Sequence, residues 1–141
     1  MSLAMTLERP MGWRFAALVF LALLNAAAAI GKGLDLAGFV RVLEAYDLLP
    51  GLALPAVALG LPLVEAALAG ALLSARWWRE AALATALLCL AYGLVLTLTL
   101  LRGIELQNCG CFGVFFARPL RPWTPLEDLA LMALALWVAR R

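Results

Sequence analysis

Residues 80–101, EAALATALLCLAYGLVLTLTLL, hold one charged side chain, and it stands first. At about 1.5 Å per helical residue, the stretch is long enough to cross the ~30 Å hydrocarbon core of a bilayer. Three more stretches read the same way. They are Trp13 to Ile30 (WRFAALVFLALLNAAAAI), Leu52 to Ala75 (LALPAVALGLPLVEAALAGALLSA) and Pro125 to Ala139 (PLEDLALMALALWVA), the last short enough to need its flanks. Across the 141 residues, 66% are hydrophobic and 14% charged, against roughly 45–50% and about 25% in soluble domains. A soluble core of this length could not hide the excess, because a small domain still exposes much of its surface. The expected fold is all-α and integral to the membrane: a four-transmembrane-helix bundle, one domain over 1–141.

The span ends carry their own signals. Trp13, Trp77, Trp78, Trp123 and Trp137 sit where helices should meet the headgroup layer that indoles prefer. Thr124 is placed to cap the fourth helix, with Pro125 at its first position and Glu127 completing a capping box. The first span is too long for a signal peptide's apolar core and lacks a small-x-small cleavage site after it, so it is expected to be retained. Four spans put both termini and the SARWWRE connection on one side. That side carries Arg9, Arg14, Arg76, Arg79, Arg140 and Arg141, and the other carries Lys32, Arg41, Arg102, Arg118 and Arg121. Six cations against five lean toward cytoplasmic termini and an extracytoplasmic loop over 102–124.

Between the first two spans lies GKGLDLAGFVRVLEAYDLLPG. Asp35 can cap a short helix there. Leu36, Phe39, Val40, Leu43 and Tyr46 fall on one face and Arg41, Glu44 and Asp47 on the other, the pattern of an amphipathic helix lying in the interface. Pro50-Gly51 is expected to end it.

Several function classes drop out. The net charge of +2 is spread along the chain, so there is no basic arm for nucleic acid. The absence of histidine removes the usual zinc or haem ligand and the usual general base. What remains is chemistry at sulfur.

Cys109-Gly110-Cys111 lies in the loop before the fourth span, in ELQNCGCFGVFF. A disulfide across so short a span is hard to form without strain, and strained disulfides are the reducible, catalytic or regulatory ones. Gly110 lets the backbone bend between the sulfurs, and Arg102 is near enough in sequence to favour a thiolate. A permanent structural disulfide would close too small a loop to restrain much chain entropy. Two free cysteines packed as small hydrophobes, or a soft-metal site, are the other readings; the latter would have only three sulfurs and a carboxylate. Cys89, roughly 18 Å along its helix from the cysteine-side end, reads as a packing residue. Phe112, Phe115 and Phe116 read either as a pocket wall beside Gly113 or as interfacial anchors.

Glu65 is the costliest residue in the sequence, because an ionisable group inside a span usually marks a partner or a pathway. Lys32 is one candidate partner. Polar contact between helices through Asn25 is the other reading. Pro62, with Gly60, should kink that helix.

Taken together, GKGLDLAGFVRVLEAYDLLP, LPLVEAALAG and LRGIELQNCGCFG resemble the methylamine-utilisation protein MauE family, grouped with the DoxX-like four-helix membrane proteins. The resemblance runs from Arg14 into the fourth span. It falls on Lys32, Asp35, Gly38-Phe39, Tyr46, Pro62, Glu65, Arg102-Gly103 and Cys109 to Gly113. Members often carry a basic residue followed by Asp or Asn at the start of the fourth span, where this chain has Leu126-Glu127-Asp128. The resemblance implies a bacterial inner-membrane protein that forms or handles disulfides of extracytoplasmic proteins, with a thioredoxin-like or disulfide-containing partner. The architecture is also similar to the vitamin K epoxide reductase type, which implies a quinone as electron partner; with no histidine and few soft ligands, no metal is expected. The function expected is a membrane thiol–disulfide oxidoreductase. Cys109 and Cys111 would react, Gly110, Phe112, Gly113 and Arg102 would support their loop, and Lys32, Glu65, Phe39 and Tyr46 would serve quinone and protons. A soft-metal carrier and a non-catalytic assembly partner are the alternatives.

Overall fold

A computed structural model describes residues 12–140. Arg9 and Arg141, counted above among the terminal-side cations, lie outside the described residues. Five helices follow in order: α1 (Trp13–Gly33), α2 (Leu36–Ala45), α3 (Leu54–Leu73), α4 (Trp78–Leu101) and α5 (Thr124–Ala139). The molecule is all-α over the described residues. α1, α3 and α4 are each long and apolar enough to cross a bilayer. α5 has 16 residues, about 24 Å of helix against a ~30 Å core, so it does not reach that length alone.

The long helices pack as two antiparallel pairs, α1 on α3 and α4 on α5, with smaller α3–α4 and α1–α5 contacts joining them. Leu18, Leu21, Leu72, Ala82, Ala135 and Val138 fill a core at the terminal end, where small alanines let the helices approach closely. Arg14 donates to the Arg140 carbonyl (3.0 Å) and Arg79 to the Ala139 carbonyl (2.8 Å), tying that end together. Leu23, Leu63, Leu87 and Leu94 point outward and exposed. Lipid satisfies such a surface and water does not, so this is a multi-pass membrane protein.

Two helix ends differ from expectation. Thr124 does not cap α5: Trp123 precedes the helix without a side-chain cap, and the Thr124 hydroxyl accepts from the Arg121 N–H (3.0 Å). Glu127 is turned away from a capping box by Arg118, whose Nη2 reaches both carboxylate oxygens at 2.9 and 2.8 Å. At α2 the Asp35 cap forms as expected, accepting from the Gly38 N–H at 2.8 Å. The helix nevertheless stops at Ala45, well before Pro50-Gly51. Asp47 takes a left-handed φ of 50°, and Arg102 gathers the freed carbonyls of Tyr46 (2.9 Å) and Asp47 (3.2 Å). Asp tolerates that backbone better than most residues.

The loop from Arg102 to Trp123 folds back over the bundle. Cys109 N–H bonds the Arg118 carbonyl (2.8 Å) and Leu120 N–H the Leu106 carbonyl (2.9 Å), closing its neck. Tyr46, Leu96, Leu106, Cys109 and Leu120 make a second small core beneath it. The tip presses on the end of α1. Gly113 has φ 77°, and a Cβ there would overlap the Gly31 carbonyl; a Cβ on Gly31 would overlap the Phe112 carbonyl. Gly113→Ala should therefore cost about 2 kcal/mol or more, and Gly31→Ala should also destabilise. Gly33→Ala, with open space around it, should stay within about 0.5 kcal/mol. Thermal unfolding of the three variants in detergent compares them.

Candidate functional site

Lys32, in the last turn of α1, and Glu65, in the middle of α3, meet inside the bundle. Their Nζ–Oε1 distance is 2.5 Å, and the side chains are 1% and 2% exposed. Tyr92 of α4 donates its hydroxyl to the same carboxylate oxygen at 2.7 Å and accepts from Lys32 at 3.3 Å. The ammonium also lies 5.7 Å from the Phe39 ring centroid and 5.2 Å from that of Tyr92, within cation–π range. Of the two partners open to Glu65 in the sequence, it takes Lys32. Asn25 instead donates to the Leu21 carbonyl of its own helix (2.9 Å), so it joins no helices. α3 runs uninterrupted through Pro62.

The cysteine pair sits above this ion pair. Cys109 Sγ and Cys111 Sγ are 3.2 Å apart, in hydrogen-bond contact and not bonded covalently. The turn is held from several directions. Asn108 accepts from the Gly110 N–H at 2.9 Å and donates to the Gly113 carbonyl at 3.1 Å. Gly110 has φ 80°, and a Cβ on it would come within 2.7 Å of Val42, so α2 is packed directly on its backbone. Tyr46 donates its hydroxyl to the Cys109 carbonyl. Burial foremost, then the neighbouring cysteine charges, raises the Tyr46 phenol, which stays protonated as a donor.

The two sulfurs are not equivalent. The Cys109 thiol is lowered to about 6, first by the hydrogen bond from Cys111 and then, against burial, by a Cys111 backbone hydrogen bond and the Arg118 charge. Cys111 is pushed up by that same hydrogen bond to the Cys109 sulfur, then by burial and by the charges of Cys109 and Asp128. One proton is shared between them, and Cys109 is the thiolate. Arg102 does not assist, because it is committed to the end of α2. Arg118 does, with its guanidinium also raised by pairing with Glu127. No sequence spacing marks Arg118; the fold of the loop's neck brings it round.

Two cavities flank the site. The first, about 310 Å³, is walled by Phe39, Leu43, Tyr46 and Leu61, with Lys32 and Cys109-Gly110-Cys111 at one end. The second, about 480 Å³, is bounded by Glu65, Thr85, Cys89, Phe112 and Asp128. Cys111 and Tyr92 border both. Phe112 thus joins the second cavity, while Phe115 and Phe116 are exposed and line neither, so the aromatic wall of the first cavity comes from Phe39, Tyr46 and Tyr92. Cys89 is buried, as a packing residue should be, although it shares the second cavity with Cys111. Among the described residues no three Cys, Asp or Glu side chains converge to hold a metal ion. Asp128 was not anticipated as a site residue. Its signal was a second carboxylate, beside Glu127, at the start of the fourth span.

Fold and site together define a class: an all-α multi-pass membrane protein with a close cysteine pair set over a buried Lys–Glu–Tyr cluster. The chain belongs to the methylamine utilisation protein MauE family, whose model matches residues 11–141. A methylamine utilization protein MauE from Paracoccus denitrificans is 40% identical over 121 residues. The alignment covers 86% of this chain and 65% of that relative. No solved structure matches.

Two predictions follow from the geometry. Lys32→Met or Glu65→Leu alone should cost about 3–5 kcal/mol by leaving one charge buried without its partner. The double substitution should recover much of that, as unfolding in mixed micelles would register. Alkylation of Cys109 should rise as pH passes upward through about 6, where its thiolate forms. Arg118→Ala should move the curve to higher pH, and Cys111→Ala, removing the larger cause, should move it further.

Proposed function

We propose that this chain is a membrane thiol–disulfide oxidoreductase in which Cys109 and Cys111 cycle between dithiol and disulfide. The observation that carries the reading is a sulfur pair 3.2 Å apart, unequal in acidity, at the end of an apolar cavity that also holds a buried lysine. Thiolate is the attacking species, and the more acidic thiol is the better leaving group. Cys109 is therefore the sulfur that attacks a partner's disulfide, or leaves when a partner's thiolate opens the pair. Cys111 completes the exchange.

The partner is an extracytoplasmic thioredoxin-like or disulfide-containing protein. In this reading the chain is one domain in the bacterial inner membrane with cytoplasmic termini. α5 and its flanks make the fourth crossing and set the cysteine loop on the extracytoplasmic side.

The first cavity suits a lipid-soluble quinone, a two-electron, two-proton acceptor when bound. Its volume falls at the lower end of ligand pockets. Its wall is apolar, and the buried Lys32 ammonium is the polar group that would face a carbonyl oxygen. Phe39 and Tyr46 would hold the ring on the α2 side. Closing the disulfide from one thiolate and one thiol releases two electrons and one proton, so a second proton must reach the acceptor from elsewhere. Lys32, linked to Glu65 and Tyr92, is the group placed to pass it.

The test is a thiol count by maleimide gel shift on reduced, detergent-purified protein, before and after anaerobic addition of a soluble quinone. Two reactive thiols should disappear in the wild type and in Cys89→Ser, and none in Cys109→Ser or Cys111→Ser. Persistence of both thiols with the quinone still oxidised would remove the quinone from this scheme. Stoichiometric binding of a thiophilic ion that needs all three cysteines would replace the scheme with a metal carrier.

A further inference from the structure

Three buried oxygen atoms among the described residues have no hydrogen-bond partner: Glu65 Oε2, Thr85 Oγ1 and Asp128 Oδ2. All three residues border the second cavity. A bilayer interior supplies no solvent to satisfy them, so unpaired oxygens there are costly and call for a hydrogen-bonding occupant. Water fits the chemistry. At about 30 Å³ each, several molecules fit in a cavity of about 480 Å³ with the two to four polar partners that buried water requires.

The three oxygens are not alike in freedom. Glu65 is neutralised by Lys32 and bonded by Tyr92. Thr85 carries no charge. Asp128, on α5, is 9% exposed and forms no ion pair among the described residues, while Arg118, which borders the same cavity, is held by both oxygens of Glu127. The cavity it enters ends at Cys111, whose sulfur keeps the proton of the pair.

We propose that Asp128 is the proton acceptor for Cys111, exchanging the thiol proton through water in the second cavity. The inference rests on the reading of Cys109 and Cys111 as a redox pair. After Cys109 forms a mixed disulfide, Cys111 must lose its proton before its sulfur can attack Cys109 Sγ. That attack forms the intramolecular disulfide and releases the partner's thiolate. The proton moves to the Asp128 carboxylate, and the reverse reaction returns it. The thiol proton thereby leaves on the acidic side of Cys111, apart from the Lys32 group that borders the apolar cavity.

The experiment uses full-length protein carrying Cys89→Ser, reduced, in detergent, with 2,2′-dithiodipyridine as a neutral disulfide probe. Thiopyridone should be released in two phases, the first from mixed-disulfide formation at Cys109 and the second from closure by Cys111. Asp128→Asn should leave the first phase intact and slow the second by about tenfold or more, as loss of a positioned base does. Asp128→Glu, which keeps a carboxylate, should restore most of the rate. A second phase unchanged in Asp128→Asn would overturn the role of Asp128 and leave the redox pair standing. Equal slowing in Asn and Glu variants would also overturn it, since packing and not proton transfer would then be the cause. Failure of the parent protein to show a second phase would reject the redox pair itself, and this inference with it.

Discussion

The buried contact between Lys32 and Glu65 constrains more of this molecule than any other interaction. Removing two charges from water costs several kcal/mol per ion even after relaxation, and attraction repays it only when geometry is close and the remaining bonding capacity is used. Here Tyr92 bonds the carboxylate and two aromatic rings face the ammonium. These groups come from α1, α2, α3 and α4, so one cluster fixes the register of four helices. Lys32 also follows Gly31, on whose backbone the cysteine loop rests. A shift of α1 that strained the ion pair would lift the loop with it.

Because the pair lies across the bundle, its two ends face different surroundings. Lys32 borders the apolar cavity under α2, and Glu65 borders the one lined by Asp128 and Thr85. Cys111 and Tyr92 stand on the boundary. The helix pairs α1–α3 and α4–α5 meet through comparatively few contacts, and it is there that space opens. Small residues make the dense terminal core possible; the bulky Lys32, Phe39, Tyr46 and Tyr92 hold the other end open.

Much of this could be read in the sequence for a simple reason: a bilayer penalises polar atoms heavily, so hydropathy marks helices and exceptions mark partners. The long helices, the Asp35 cap, the importance of Glu65 and the closeness of the cysteines all follow from local composition or cost. The misread residues share a different property. Arg102 and Arg118 both lie near the cysteines in the chain, and which one reaches them depends on the path of a loop lacking regular structure. Thr124 and Glu127 form a sound capping box on paper, yet a tertiary ion pair to Arg118 outcompetes it. Phe115 and Phe116 look like pocket aromatics beside Cys111, but the turn at Gly113 directs them outward. The 16-residue α5 was legible as short, and Asp128 within it could be seen as a buried carboxylate only once α4 was packed against it.

The absence of histidine gives the arrangement its physical logic. Thiol chemistry near neutral pH needs groups that exchange protons, and imidazole is the side chain that does so without perturbation. Without it, ionisation must be set by environment. A shared hydrogen bond and the Arg118 charge draw Cys109 down to about 6, while that hydrogen bond, burial and the neighbouring negative charges leave the proton on Cys111. A low-dielectric setting amplifies such differences because each unpaired charge is expensive. Two chemically identical side chains can thus occupy different protonation states 3.2 Å apart. Burial raises both thiols, and it is the hydrogen bond between them that separates the roles of the two sulfurs.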